Sequence, residues 1–182
     1  AGLLIMTFHV PLRQLLLIAL CGLALPFDTR AAQPDKQQLS ASVVVLKSDV
    51  LRSGVVIAPQ TVVSTCIIEY QSAPLAVIKD GVSYPAQLQY ADPHRGLCQY
   101  AVASLPGPAA AQGSARKLKV KNKVWVAGAS NDSDVAVVTG VITALRPFEE
   151  SNYIQLSVPV TPRLSGAGVF NSAGELVGIT QF

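Results

Sequence analysis

Apolar residues in this chain come in short runs separated by turn formers. Ser42–Leu46, Ser53–Ala58 and Thr61–Ser64 come first, with Ala58-Pro59-Gln60 breaking the last two apart. Leu75–Ile78, a run near Tyr84–Tyr90 and Leu97–Val102 follow, with Lys79-Asp80-Gly81 as a turn. The runs are rich in Val and Ile, too short for helices, and bounded by Gly, Pro, Asp and Asn, which predicts strands. A second group is predicted at Lys123–Gly128, Asp134–Thr139, Val141–Arg146, Asn152–Leu156, Ala167–Phe170 and Glu175–Thr180. Asn171-Ser172-Ala173-Gly174 supplies the hairpin turn between the last two. No internal segment holds a helical period, so the pattern is all-β.

Leu105 to Gly113 is rich in Pro, Gly and Ala and reads as a linker. Two groups of about six short strands on either side of it predict two packed six-stranded antiparallel β-barrels. The predicted boundaries are 32–104 for the first barrel, 105–116 for the linker and 117–182 for the second.

The first 31 residues read differently. Arg13 precedes the apolar run Leu15–Leu25, which is followed by Thr29-Arg30-Ala31. That order is an export signal, with cleavage predicted near Ala31. A membrane span needs about 20 continuous apolar residues, more than this run offers. Leu20 is too large for the residue before a lipoprotein cysteine, so Cys21 is not read as an acylation site. Ala1–Ile5 precede the single methionine, Met6, and are read as upstream of the true start or as a fragment boundary. The expected location is periplasmic or secreted, with no membrane partner after cleavage.

Without residues 1–31 the chain carries 12 basic and 10 acidic side chains, a net +2. So weak a balance points to neither nucleic acid nor an anionic membrane. The one basic cluster, Arg116 to Lys123, alternates with apolar residues and reads as the start of a solvated strand. Two cysteines remain, Cys66 and Cys98. An oxidising compartment makes one disulfide possible, and two buried free thiols are the alternative. No cofactor or metal is expected.

Candidate chemistry centres on Pro162-Arg163-Leu164-Ser165-Gly166-Ala167-Gly168, a serine among small residues ahead of a hairpin. With Ser53–Ala58, Val62–Ile68, Ala91–Cys98, Val124–Gly128 and Thr139–Leu145 in this order, the chain resembles the trypsin-like serine peptidases, especially the bacterial Deg-type branch. The resemblance covers roughly Ser42 to Phe182. It places the family's nucleophile on Ser165, its histidine on Ile67 and its aspartate on Gly96. A serine hydroxyl attacks only when a neighbouring base takes its proton and a carboxylate orients that base. Isoleucine and glycine do neither.

The oxyanion donors implied by the resemblance are the N–H groups of Arg163 and Ser165. The family has glycine where Arg163 stands and again where Ala167 stands. Of the two histidines, His9 falls in the export signal and His94 two residues before Gly96, so neither is expected to reach Ser165. Asp92, before Pro93, reads as a turn residue. Cys66 adjoins Ile67 and would face the other way along a strand, in the core or in a bridge. The family continues past the hairpin with a further strand and a helix, which implies a partial sequence and an incomplete second barrel here.

The expectation is an exported peptidase homologue that has lost catalysis and binds a peptide or protein, by adding a strand to a sheet edge. The alternative is an active serine endopeptidase with Ser165 as nucleophile and an unconventional base. A structural β-domain without a groove function is the third reading.

Overall fold

The computed structural model describes residues 33–66, 75–148 and 151–182. The predicted export signal and Ile67 lie outside them. Strand assignment follows the sequence pattern closely. The first half holds β1 (Val43–Lys47), β2 (Leu51–Ala58), β3 (Thr61–Thr65), β4 (Ala76–Lys79), β5 (Val82–Pro85), β6 (Gln87–Asp92) and β7 (Leu97–Ala101). The second holds β8 (Lys123–Ala129), β9 (Val135–Phe148), β10 (Ser151–Leu156), β11 (Gly168–Phe170) and β12 (Leu176–Ile179).

These strands form two curled antiparallel sheets, of seven strands in the order β5-β4-β1-β2-β3-β7-β6 and five in the order β10-β9-β8-β11-β12. The count differs from two sets of six for a local reason in each sheet. Only Ala86 separates β5 from β6, so the opposite edges of the first sheet are consecutive segments of one bent strand. The run predicted near Tyr84–Tyr90 is that bent strand, and it closes the sheet on itself. In the second sheet the two strands expected on either side of Gly140 are one long strand, β9. Gly140 lets Val158 pack against the strand, because a Cβ there would lie 2.5 Å from Val158 Cγ2. β9 pairs with β8 over Val135–Val141 and with β10 over Ile142–Phe148.

Three apolar clusters hold the two sheets. Val44, Leu46, Val56, Val62, Val77 and Tyr100 fill the first. Val124, Val126, Ile142, Val169 and Val177 fill the second. Between the sheets lie Leu39, Val43, Val55, Trp125, Ala127 and Phe170. β8 shows why its run is nearly continuously apolar. Val124 and Val126 face the second core while Trp125 and Ala127 face the layer between sheets, so both faces leave water.

A short helix precedes β1, which the pattern does not predict. α1 (Lys36–Ala41) has Asp35 as N-cap, its carboxylate accepting from the Gln37 N–H at 3.0 Å. One apolar residue, Leu39, enters the interlayer, too few to produce a helical period. At the far end the buried Lys79 ammonium donates to the carbonyls of Ala41 (2.8 Å), Val43 (3.2 Å) and Ser40 (3.4 Å). Burial pushes its pKa down, opposed by the neighbouring Asp80 carboxylate. A cation against the last carbonyls of a helix satisfies groups that have no partner within it.

The linker is not a free tether. Ala110 donates its N–H to Val56 O at 2.8 Å, and the Gly113 and Leu176 N–H groups donate to Leu176 O and Ala111 O at 2.8 and 2.7 Å. Its backbone therefore lies along β12 in parallel. Arg116 to Asn122 is largely exposed as expected, but it forms part of a 3₁₀ turn (Ala115–Lys117) and a loop, and only Lys123 begins a strand.

Candidate functional site

Ser165 follows a single 3₁₀ turn, Pro162–Leu164, and is itself buried, at 1 % exposure. Pro162 opens that turn with its φ already set and no N–H to lose. Gly166 comes next at φ +88°, where a Cβ would overlap the Ser53 carbonyl oxygen and the Ser64 hydroxyl. No other residue fits there, and the chain is thereby pressed onto β2 and β3.

Among the described residues the Ser165 hydroxyl has two polar neighbours. Its Oγ is 3.1 Å from Thr65 Oγ1 at the end of β3, and it accepts from the Phe182 N–H at 3.4 Å. Thr65 in turn accepts from Arg52 Nη1 at 3.3 Å. A second hydroxyl and a backbone amide thus meet the serine, with a guanidinium behind the hydroxyl. Hydroxyls titrate far above neutrality, and the other two groups have no lone pair with which to take a proton.

The backbone of the turn is likewise committed. The Ser165 N–H donates to Thr161 O at 3.1 Å and to Pro162 O at 3.2 Å. The Arg163 carbonyl accepts from Ser53 Oγ at 2.7 Å, and the Leu164 carbonyl accepts from Thr180 Oγ1. An oxyanion hole needs N–H groups free to point at a developing charge. Here the Ser165 N–H points back into its own turn. The Arg163 side chain is exposed and donates to Ser130 O at 3.3 Å.

Gly96 ends the turn between β6 and β7, with φ +62°. Asp92 organises that turn as a turn residue does. Its carboxylate accepts from the Arg95 N–H at 3.0 Å and from Arg95 Nη1 at 2.9 Å. The Arg95 side-chain and backbone bonds hold the Asp92 pKa below its ordinary range. His94 is exposed in the same turn. Gln181 lies over it, its side-chain amide donating to Arg95 O, and a Cβ on Gly96 would stand 3.1 Å from Gln181 Nε2. Cys66 and Cys98 are joined by a disulfide with Cα atoms 4.8 Å apart, of the two alternatives the bridged one. The Cys66 N–H donates to Gly96 O at 2.9 Å, so bridge and backbone bond together tie the end of β3 to the turn before β7.

Ser165 and the Gly96 turn are thus brought together through the residues Gln181 and Phe182. Four side chains essential to this arrangement stand out only in three dimensions: Ser53, Thr65, Thr180 and Arg52. Small polar residues inside apolar strands are the one sequence signal that could have marked the first three, since buried hydroxyls need partners.

Beside this region a groove of about 840 Å³ separates β10 from β12, the two edges of the second sheet. Ile154, Leu156, Val177 and Ile179 line its apolar floor, and Tyr153 and Arg116 stand at its rim.

Comparison with known proteins agrees with this architecture. Residues 52–179 match the Trypsin-like peptidase domain family. A probable periplasmic serine endoprotease DegP-like of Marinomonas sp. (strain MWYL1) is 32% identical over 108 residues, covering 57% of this chain and 23% of that protein. Another of the same description, from Pseudomonas savastanoi pv. phaseolicola (strain 1448A / Race 6), is 30% identical over 137 residues, covering 72% and 29%. The chain thus spans under a third of the length of these relatives. Among solved structures, Deg5 superposes with a TM-score of 0.70 at 17% identity, over 80% of this chain and 81% of that one. The HtrA-type protease AlgW with tripeptide gives 0.70 at 21% identity, over 79% and 51%. Sequence match and fold concur: the chain belongs to the trypsin-like peptidase domain family, in its Deg-type branch.

Proposed function

We propose that this chain is a catalytically inactive member of its family, exported to the periplasm or beyond, that acts by binding a peptide or protein. The observation that carries this reading is the set of polar partners around Ser165. Among the described residues its hydroxyl meets Thr65 and the Phe182 N–H, and neither can accept its proton. The inward Ser165 N–H supports the same reading, as does the expectation from the sequence resemblance that Ile67 and Gly96 stand where the family has its base and orienter. Without base or orienter, hydrolysis falls to what binding alone provides. Periplasmic naming of the relatives, together with the signal-like first segment, supports the location.

For binding, the groove between β10 and β12 offers an apolar floor flanked by strand edges, the setting in which an extended peptide adds to a sheet. The test is labelling of the purified protein with a serine-directed phosphonate, with Ser165→Ala as control. The expected result is no Ser165-dependent label on folded protein. Stoichiometric labelling abolished by Ser165→Ala would establish an active endopeptidase with an unconventional base.

A further inference from the structure

Arg52 carries a guanidinium to the end of an apolar core. In the β1–β2 pairing it stands opposite Leu46, which is wholly buried in the first cluster. Strand alternation puts it in one row with Gly54 and Val56. A Cβ on Gly54 would meet the side chains of Leu46, Val62 and Val44, so that row faces the first core. Arg52 is half-buried where the row ends.

Its donors are mostly unspent. A guanidinium carries five N–H groups and no acceptor. Nη1 donates to Thr65 Oγ1 at 3.3 Å, a neutral partner. Nε is sealed from solvent and has no hydrogen-bond partner among the described residues. Nor does Arg52 form an ion pair there, where Lys47 pairs with Asp132 and Arg95 with Asp92. A buried donor without an acceptor, on a cation without a counter-charge, costs stability rather than adding it. Methionine would fill the same row with a stem of similar reach and no charge. Packing alone does not call for an arginine here, whereas recognition of an anion does.

The shape of the free edge narrows the anion. With Nη1 committed to Thr65, Nε and Nη2 form the remaining edge, and two parallel N–H groups match the two oxygens of a carboxylate. Thr65 in turn lies 3.1 Å from Ser165 Oγ. The guanidinium is thus two hydrogen bonds from the serine, and a ligand that reaches it lies beside the Ser165 turn.

We infer that Arg52 anchors a carboxylate-binding subsite beside Ser165, the carboxylate being carried by a peptide as an acidic side chain or as its free terminus. The subsite requires neither a reactive Ser165 nor the groove between β10 and β12. The peptide as carrier rests on the binding reading above, and the carboxylate chemistry does not.

Titration of acetate into the whole chain, exchanged against chloride at constant ionic strength and followed by NMR, tests it. The Arg52 Nε–H and Thr65 amide resonances should shift saturably with acetate and stay in place with chloride. In Arg52→Met the Thr65 shift should be lost, together with the rise in unfolding midpoint that a ligand of the folded state produces. Arg52→Lys keeps the charge without the fork and should need about tenfold more acetate. It carries the test if Arg52→Met does not fold. Two short alanine peptides separate the sources, one with a free terminal carboxylate and one amidated and bearing a single glutamate. The peptide with the matching carboxylate should displace acetate. A Thr65 shift that chloride reproduces, or that persists in Arg52→Met, would overturn the subsite. Acetate that neither peptide displaces would overturn the peptide as its carrier.

Discussion

The hydroxyl of Ser165 lies 3.1 Å from the hydroxyl of Thr65, a contact between residues 100 positions apart in the chain. It joins the end of β3 in the first sheet to the turn that leads into β11 in the second. Arg52 stands behind Thr65 and the Phe182 N–H in front of Ser165, so the pair bridges the two sheets. Both residues are buried, so water cannot replace this bond when either hydroxyl is removed, and each depends on it alongside its contact with Arg52 or with the Phe182 N–H.

That dependence predicts a measurable coupling. Thr65→Val and Ser165→Ala should each destabilise the protein, and the double variant should lose less than the sum. A coupling of about 0.5–1.5 kcal/mol is expected for one buried neutral hydrogen bond. Denaturant unfolding of the four proteins checks it, and strictly additive losses would mean that the two hydroxyls do not interact.

Gly166 should tolerate no side chain. At φ +88° with the Ser53 carbonyl in the way, Gly166→Ala meets both backbone strain and a backbone clash. A loss of at least ~3 kcal/mol is expected from the two together. Gly81→Ala is the comparison, since its φ of +76° is similar but nothing lies within 4 Å of the added carbon. It should cost about 1 kcal/mol, from conformation alone. Thermal or denaturant midpoints would show the difference.

Rebuilding a triad by Ile67→His with Gly96→Asp should not restore peptide hydrolysis. The side chain of Gly96→Asp would compete with the Gln181 amide for the same space. The Ser165 N–H would also still face inward. Release of a fluorogenic peptide by the double variant should equal that of the Ser165→Ala control, and a Ser165-dependent rise would show that geometry is more forgiving than this.

The Cys66–Cys98 bridge closes a loop with a sequence separation of 32 and ties the end of β3 to the start of β7. Chain-entropy arithmetic for a loop of that size gives about 3–4 kcal/mol. Reduction, or Cys66→Ala with Cys98→Ala, should lower the denaturant midpoint accordingly. An unchanged midpoint after verified reduction would mean that the backbone bond from Cys66 to Gly96 suffices.

Acid should loosen the Gly96 turn through Asp92. The folded carboxyl titrates below its ordinary value of 3.8 because Arg95 donates to it from side chain and backbone. A depressed carboxylate contributes stability that is complete above the unfolded value and is lost as pH falls through the folded one. Wild-type stability should therefore drop below about pH 4 more steeply than that of Asp92→Asn, which binds no proton there. Unfolding midpoints between about pH 6 and about pH 2 test the slope, and parallel curves would remove Asp92 from the account.

Much of this fold is legible in the chain. β1, β2, β3, β7 and β8 each fall within a residue or two of an apolar run, because strands this short and this buried have little freedom in where they begin. The hairpin turns are equally plain. Asp80-Gly81 and Asn171 to Gly174 sit where the chain reverses, and Gly81 and Gly174 take the positive φ that those residues permit. What the pattern misses is local or long-range. α1 places a single residue in the core and so leaves no period. Gly140 reads as a break between two strands, yet it lies within one, where its missing side chain makes room for Val158.

The candidate site divides along the same line. Residue type and order alone point to the all-β class and to the serine at position 165, and the resemblance carries the expectation that Ile67 and Gly96 stand at the family's base and orienter positions. Packing in three dimensions adds the rest: the bond between Cys66 and Cys98, the pairing of Thr65 with Ser165, and the Ser165 N–H turned inward under the hydroxyls of Ser53 and Thr180. Those facts rest on contacts between residues far apart in the chain. A buried hydroxyl takes whichever partner the packing of two sheets brings within about 3 Å, and spacing along a sequence carries no record of that distance.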